Sequence, residues 1–319
     1  MDEDKAFRDQ AKQVWSRYSL LDEVSTLKDL DDVIPTLVPQ FQSLAKSFRY
    51  NLASAIATTG LPSLLAALAA GESFFRIHQY RKMLLAIIDS PEELSESDKA
   101  EILRSAREAL QKDLLGSGEG ERSSNMELVG RDIERLLLQV DHLAPGIAPE
   151  VLRQGVVLVW GAFEVFCRDF FVSYLNQNPT ASLALMNDPT TKRLFPKIVD
   201  LDVLTQYDFD LSSSMGVVLS SIFDIGSCSA IKSVFSTLFP GNEALRTALS
   251  KSEIWLLSQA RNLVVHQRGI VDTKYKIATG SDAPEGSELV VAPKDLKGFT
   301  FSVRDAGIAV LNATKQHTP

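Results

Sequence analysis

Between Glu150 and Leu175 the chain carries Val156, Val159, Trp160, Phe163, Cys167, Phe170 and Tyr174, mostly three or four residues apart. At 3.6 residues per turn these side chains line one continuous helical face. A face that wide and aromatic has to be buried against other elements, and helical periodicity recurs through most of the sequence. The expected fold class is therefore all-α, a helical bundle. With 319 residues, the chain is long enough for one large domain or two, each with a core.

Taken in order, a polar helix is expected from Asp2 to about Arg17, with Phe7, Trp15 and Tyr18 as core contacts. Pro35 and Pro39 interrupt the pattern, and helical spacing resumes at Phe41. Pro62 suits the first turn of a new helix, where no amide donor is needed, and that helix would run from Leu61 to about Ile88. Ser90-Pro91-Glu92-Glu93 has the form of another helix start, and a further helix is expected from about Glu96 to near Leu115. Gly116 to Asn125 lacks any apolar side chain and holds three glycines, the composition of a flexible linker. This divides the chain into an N-terminal helical domain of unknown role (1–115), a linker (116–125) and a second domain (126–319). The second domain begins with an amphipathic helix at Glu127–Leu143. Later helices are expected at Met215–Phe223, Ala230–Leu238, Glu243–Leu249 and Ser252–Arg268. Near the C-terminus the period changes: Glu288-Leu289-Val290-Val291 and Phe299-Thr300-Phe301-Ser302-Val303 are rich in β-formers. Pro293 and the turn-like Lys294–Gly298 separate them. A small C-terminal β-hairpin is expected there, followed by a helix from Arg304 to Thr314.

A formal net charge of −8 argues against broad attraction to phosphate backbones. The balance is uneven, because Lys251 onward carries nine Lys/Arg against seven Asp/Glu. Cys167 and Cys228 are too few for a disulfide framework and lack metal-ligand spacing, so reduced, buried thiols are expected and no metal or cofactor is implied. Met1-Asp2-Glu3-Asp4 is acidic and precedes no apolar core, so no leader is expected. Asn51 to Gly71 is free of charge, yet Thr58-Thr59-Gly60 and Pro62 interrupt it and alanine outnumbers leucine. No membrane partner is expected, and the location read from these features is cytoplasmic.

The chemistry-bearing segment is Gln259-Ala260-Arg261-Asn262-Leu263-Val264-Val265-His266-Gln267-Arg268-Gly269, at the end of an otherwise apolar helix. Asn262 and His266 are four apart, roughly 40° around the axis, and share a face. Arg261 and His266 are five apart, roughly 140° around, so a regular helix in one chain cannot aim both at one point. Two arrangements would bring them together. Either the helix loosens before Gly269, or two chains pair and pool their side chains.

Arg261-Asn262-x-x-x-His266, followed by Gly269, Val271-Asp272 and Tyr275, resembles the arginine–four residues–histidine signature of HEPN domains. Val156 to Phe166 looks like that family's long first helix, and the expected hairpin-plus-helix tail is similar to the branch called RiboL-PSP-HEPN. The resemblance covers roughly Met126 to the C-terminus. It implies an HEPN-like helical domain that forms a homodimer and, in many members, cleaves RNA without a metal. The catalytic residues so implied are Arg261, His266 and Asn262, in a metal-independent endoribonuclease of toxin or phage-defence type. RNA is then the implied substrate, with an antitoxin or regulatory protein as a further partner. The residues suit the chemistry. An imidazole, with an ordinary pKa of ~6.5, serves as base or acid. Guanidinium stays charged and presents a planar fork to phosphoryl oxygens.

Each residue also has a plainer role. Arg261 within an apolar helix needs an acid, and Glu164 on the other long helix is the best candidate. His266 near a helix C-terminus is favoured by the macrodipole alone. Asn262 could be an ordinary hydrogen-bonding residue. The alternative function is therefore a non-catalytic HEPN domain that binds nucleotide, RNA or a partner protein as a dimeric scaffold.

Overall fold

The structure, a computed structural model, describes residues 16–19, 21–89, 94–115, 119–192, 194–195 and 201–316. Phe7, Trp15 and the Ser90–Glu93 helix start lie outside the described residues. In chain order the helices are α1 (Glu23–Val33), α2 (Pro39–Asp89), α3 (Glu96–Leu115), α4 (Glu119–Leu143), α5 (Ile147–Gln177), α6 (Ser182–Asn187) and α7 (Leu201–Thr205). They continue as α8 (Met215–Ile222), α9 (Cys228–Leu238), α10 (Glu243–Leu249), α11 (Ser252–Gln267), α12 (Thr273–Thr279) and α13 (Pro293–Ala313). Among the described residues there is no strand, only an isolated antiparallel bridge between Ile270 and Glu288. The all-α expectation holds at that level.

Two compact units divide the chain, one made of residues 1–20 and 60–148 and the other of 21–59 and 149–319. The expected boundary at 116–125 is not where they part. Residues 119–125 begin α4, whereas 116–118 lie outside the described residues. Lack of apolar side chains means that a segment has little to bury, not that it cannot be helical. Extending an existing helix costs far less than nucleating one. Pro62 likewise starts no new helix, because it lies inside α2. Its missing N–H leaves the carbonyl of Thr58 without a helical donor, and Thr58 is exposed, where water serves instead. The proline nevertheless marks something real, since α2 passes from one unit to the other between Thr59 and Gly60.

In the larger unit, α5 is the central element. Its Phe170 stacks on Phe41 of α2 at 5.2 Å and meets Phe235 of α9 edge-on at 5.6 Å. One turn earlier, Phe166 stacks on Phe48 at 4.4 Å. Two glycines set how closely the helices approach. A Cβ on Gly307 of α13 would lie 2.2 Å from the Phe48 ring, and one on Gly216 of α8 would lie 2.2 Å from the Val172 carbonyl oxygen. Gly161 of α5, by contrast, opens onto space.

The expected hairpin is absent. Phe299–Val303 lies within α13, whose Leu296, Phe299, Val303, Ala306, Val310 and Ala313 are buried. That spacing is helical over about five turns, and it outweighs the local β preference of five residues. The turn-like Lys294–Gly298 is the first part of this helix. Pro293 occupies a first-turn position, and the Ala292 N–H donates to the Asp295 carboxylate at 3.0 Å. The other β-rich run, Glu288–Val291, is extended and alternates, with Leu289 and Val291 buried and Val290 exposed. It pairs with the turn after α11: the Leu289 N–H donates to the Gly269 carbonyl (2.7 Å) and the Val271 N–H to that of Ser287 (2.8 Å).

In the smaller unit the buried cluster consists of Tyr18, Ala66, Leu137 and Ala148, flanked by Ile133, Leu136 and Leu138. By length and composition α2 could cross a membrane, but 33% of its most apolar window is buried inside the protein. Leu52, Ala53, Ala55 and Ile56 of that charge-free stretch belong to the core of the larger unit.

Candidate functional site

Helix α11 turns Ile254, Leu257, Ser258, Ala260 and Leu263 inward. Trp255, Asn262, Val265 and His266 are exposed. The helix stays regular through Gln267 and stops because Arg268 (φ 54°) and Gly269 (φ 75°) both enter the left-handed region. Their N–H groups both donate to the Leu263 carbonyl. Of the two ways to unite Arg261 with His266, loosening of the helix end is therefore not used. Within one chain the two side chains leave α11 in different directions.

Arg261 turns towards α5. Its Nη2 donates to Glu164 Oε2 at 3.3 Å, and the same oxygen accepts from Trp160 Nε1 at 2.8 Å. Nη1 reaches the neighbouring Asn262 Oδ1 at 3.2 Å. Arg261 and Glu164 are both half-buried, with side chains 28% and 21% exposed. The ion pair foreseen for Arg261 is thus formed. Its length exceeds the ~2.7–2.9 Å of tight charge-assisted bonds, so Glu164 holds the guanidinium loosely. On the other side of Glu164, a Cβ on Gly226 would lie 2.9 Å from Oε1. That neighbour leaves no signature in the sequence.

Asn262 and His266 meet in an open cleft of about 120 Å³. Gln259, Asp272, Lys274 and Tyr275 complete most of its lining. Among the described residues His266 has no hydrogen-bond partner. Asp272 is engaged structurally: its carboxylate accepts from the Tyr275 N–H at 2.7 Å and caps α12. Lys274 makes no ion pair among the described residues and leaves a cationic group in the cleft. The structure therefore brings Asn262 and His266 together and links Arg261 to them only through Asn262.

The cleft edge is braced from α5. Arg153 bonds Glu150 and Glu288, each at 2.9 Å, and its side chain is only 12% exposed. Its Cδ lies 3.2 Å from where a Cβ on Gly269 would be. Glycine is thus needed at the end of α11 both for its φ and for the space Arg153 occupies. Asp272 and Tyr275 were within the motif's flank, whereas Arg153 and Lys274 carry no pattern that separates them from surface cations.

Cys167 and Cys228 are buried free thiols. Burial pushes both thiols up, Cys167 well above its ordinary range, which makes them poor nucleophiles. Among the described residues no three His, Cys, Asp or Glu side chains are grouped to hold a metal ion. No protein-family model, curated protein or solved structure matches the chain. The resemblance to HEPN domains rests on the Arg261–His266 segment and the α5 pattern.

Proposed function

We propose that the α11 cleft is half of a ribonuclease site, completed by a second copy of the chain, which cuts RNA without a metal ion. The observation carrying this reading is that His266, with no hydrogen-bond partner among the described residues, shares an open cleft with Asn262 and Lys274. An imidazole, an amide and an ammonium suit a phosphodiester. In the reaction the ribose 2′-oxygen bonds to phosphorus as the bond from phosphorus to the 5′-oxygen breaks. The hydroxyl proton passes to one imidazole, and the departing 5′-oxygen takes a proton from an acid. One chain offers one imidazole here, so the second proton-transfer group comes from the second copy. Arg261 reaches the same centre by leaving Glu164, to which its bond is long, and offers its fork to the phosphoryl oxygens. Val265 beside His266, and Leu158 and Gly161 on α5, provide uncovered surface for pairing. A toxin or defence role in the cytoplasm, under control of an antitoxin or regulatory protein, completes the proposal.

RNA incubated with the chain and a chelator is cut by the wild type and spared by His266→Ala and by Arg261→Ala. Because the site needs an imidazole from each copy, adding an excess of His266→Ala chain to the wild type lowers cutting, as wild-type chains are drawn into pairs with a single imidazole. Undiminished cutting by both variants defeats the proposal, and wild-type activity unaffected by the added His266→Ala chain removes the pooled site.

The Arg261–Glu164 pair favours a second reading. In it the chain is a non-catalytic dimeric scaffold that binds nucleotide, RNA or a partner protein, and Arg261 is a structural residue. Glu164→Gln separates the two. It frees the guanidinium and leaves or raises cleavage in the first reading, and it only loosens the helix contact in the second.

A further inference from the structure

A second hollow, of about 500 Å³, adjoins the His266 cleft between α11, α12 and α13. Tyr275 lines both. Its floor is apolar, formed by Ala260, Leu289, Val291 and Phe299, each of them buried. Around the rim stand Glu253, Asp295 and Lys294. Two carboxylates against one ammonium make this a poor place for a phosphate, and they suit the N–H edge of a neutral ligand. Burial raises the Tyr275 phenol above its ordinary value; a hydrogen bond with Thr279 opposes this and the Asp295 charge adds to it. The phenol therefore stays neutral, an aromatic wall with a polar tip. The volume lies within the ~300–1,000 Å³ of ligand pockets, whereas the cleft at His266 is far smaller.

We propose that this hollow receives a nucleobase of single-stranded RNA while the adjacent phosphodiester lies in the His266 cleft, with Tyr275 as the shared wall. The inference rests on the cleft being a phosphodiester site, and it adds the substrate class: an unpaired strand whose base turns out of its stack. Single-stranded RNA is commonly held in this way, by bases splayed onto aromatic and apolar surfaces beside a backbone site. A duplex, whose bases face each other, cannot fill the hollow.

Gly298 of α13 lines the hollow, and a Cβ added there meets nothing within 4 Å. A side chain at this position therefore starts into open space, so Gly298→Leu extends into the hollow, and leucine suits a helix better than glycine. The experiment uses full-length His266→Ala chain, which cannot cut, and fluorescence anisotropy with a labelled single-stranded RNA. An otherwise identical strand of abasic riboses is the comparison. His266→Ala chain is expected to bind the base-bearing strand about 10-fold more tightly than the abasic one. Adding Gly298→Leu abolishes that preference at unchanged thermal stability, while Gly298→Ala retains most of it. Equal affinity for the two strands, or a preference that survives Gly298→Leu, overturns the base pocket and leaves the phosphodiester reading standing. Absence of any RNA binding by the His266→Ala chain overturns both.

Discussion

The two halves of α2 are built from similar residues and end up in opposite circumstances. Between Phe41 and Ile56 the helix buries Phe41, Ala45, Phe48, Leu52 and Ile56 in the larger unit. Beyond Gly60, Leu61, Leu64, Leu65 and Leu68 are each about half exposed or more, and only Ser63, Ala66, Ala70 and Phe74 turn inward. The first half has α5 and α13 to pack against, with Phe48 seated between Phe166 and Gly307. The second half belongs to a unit whose buried hydrophobic cluster, among the described residues, is Tyr18, Ala66, Leu137 and Ala148. The same unit buries Tyr18 Oη and Ser19 Oγ without hydrogen-bond partners among the described residues. Apolar composition supplies the material for a core, and complementary partner surfaces decide whether it is used.

Substitutions can break or sharpen this contrast. The largest expected loss is at Phe163, fully buried on α5: Phe163→Ala costs about 4 kcal/mol in denaturant unfolding. Leu137→Ala, at the equally buried centre of the small cluster, costs about 2.5 kcal/mol, because a thinner core relaxes around the gap more readily. A loss as large as that at Phe163 would show the two cores to be equally tight. Acid should weaken the larger unit at the contact between α11 and α13. Burial of Asp305 opposes its ionisation, yet hydrogen bonds from Lys251 and Arg304 outweigh this and hold its carboxyl below the ordinary value. A depressed pKa contributes stability that is present above the unfolded value of ~3.9 and is lost as pH falls through the folded one. Asp305→Asn should flatten that part of the stability–pH curve. Tyr18→Phe removes a buried hydroxyl that has no partner among the described residues, and it should raise the melting temperature, by up to about 1 kcal/mol of stability. The smallest effect belongs to Leu64→Ser, on the uncovered face, which should stay within about 0.5 kcal/mol.

Much of the helical architecture was legible because buried faces repeat at helical spacing. Met215–Ile222, Cys228–Leu238, Glu243–Leu249 and Ser252–Gln267 lie within a few residues of expectation. The failures share one cause, a local signal overruled by a longer one. Five β-formers at 299–303 could not outweigh an apolar stripe of about five turns, the polar segment at 119–125 joined the helix that follows it, and Pro62 punctuated α2 without ending it. The site was legible in part. Spacing alone put Asn262 and His266 on one face and Arg261 on another, and that is how the structure places them. Arg153, Lys274 and Gly226 stayed hidden because nothing local distinguishes them.

What the sequence determined by itself is periodicity. It set which residues share a face, the buried stripe of α5, the divergence of Arg261 from His266, and the glycine that stops α11. Only the tertiary structure decided which faces meet. It set Gly226 against Glu164, paired Leu289 with the turn at Gly269, and opened the hollow behind Tyr275. Helical faces follow from a repeat of a few residues along the chain, whereas contacts between distant segments depend on how whole surfaces fit. No stretch of sequence carries that information alone.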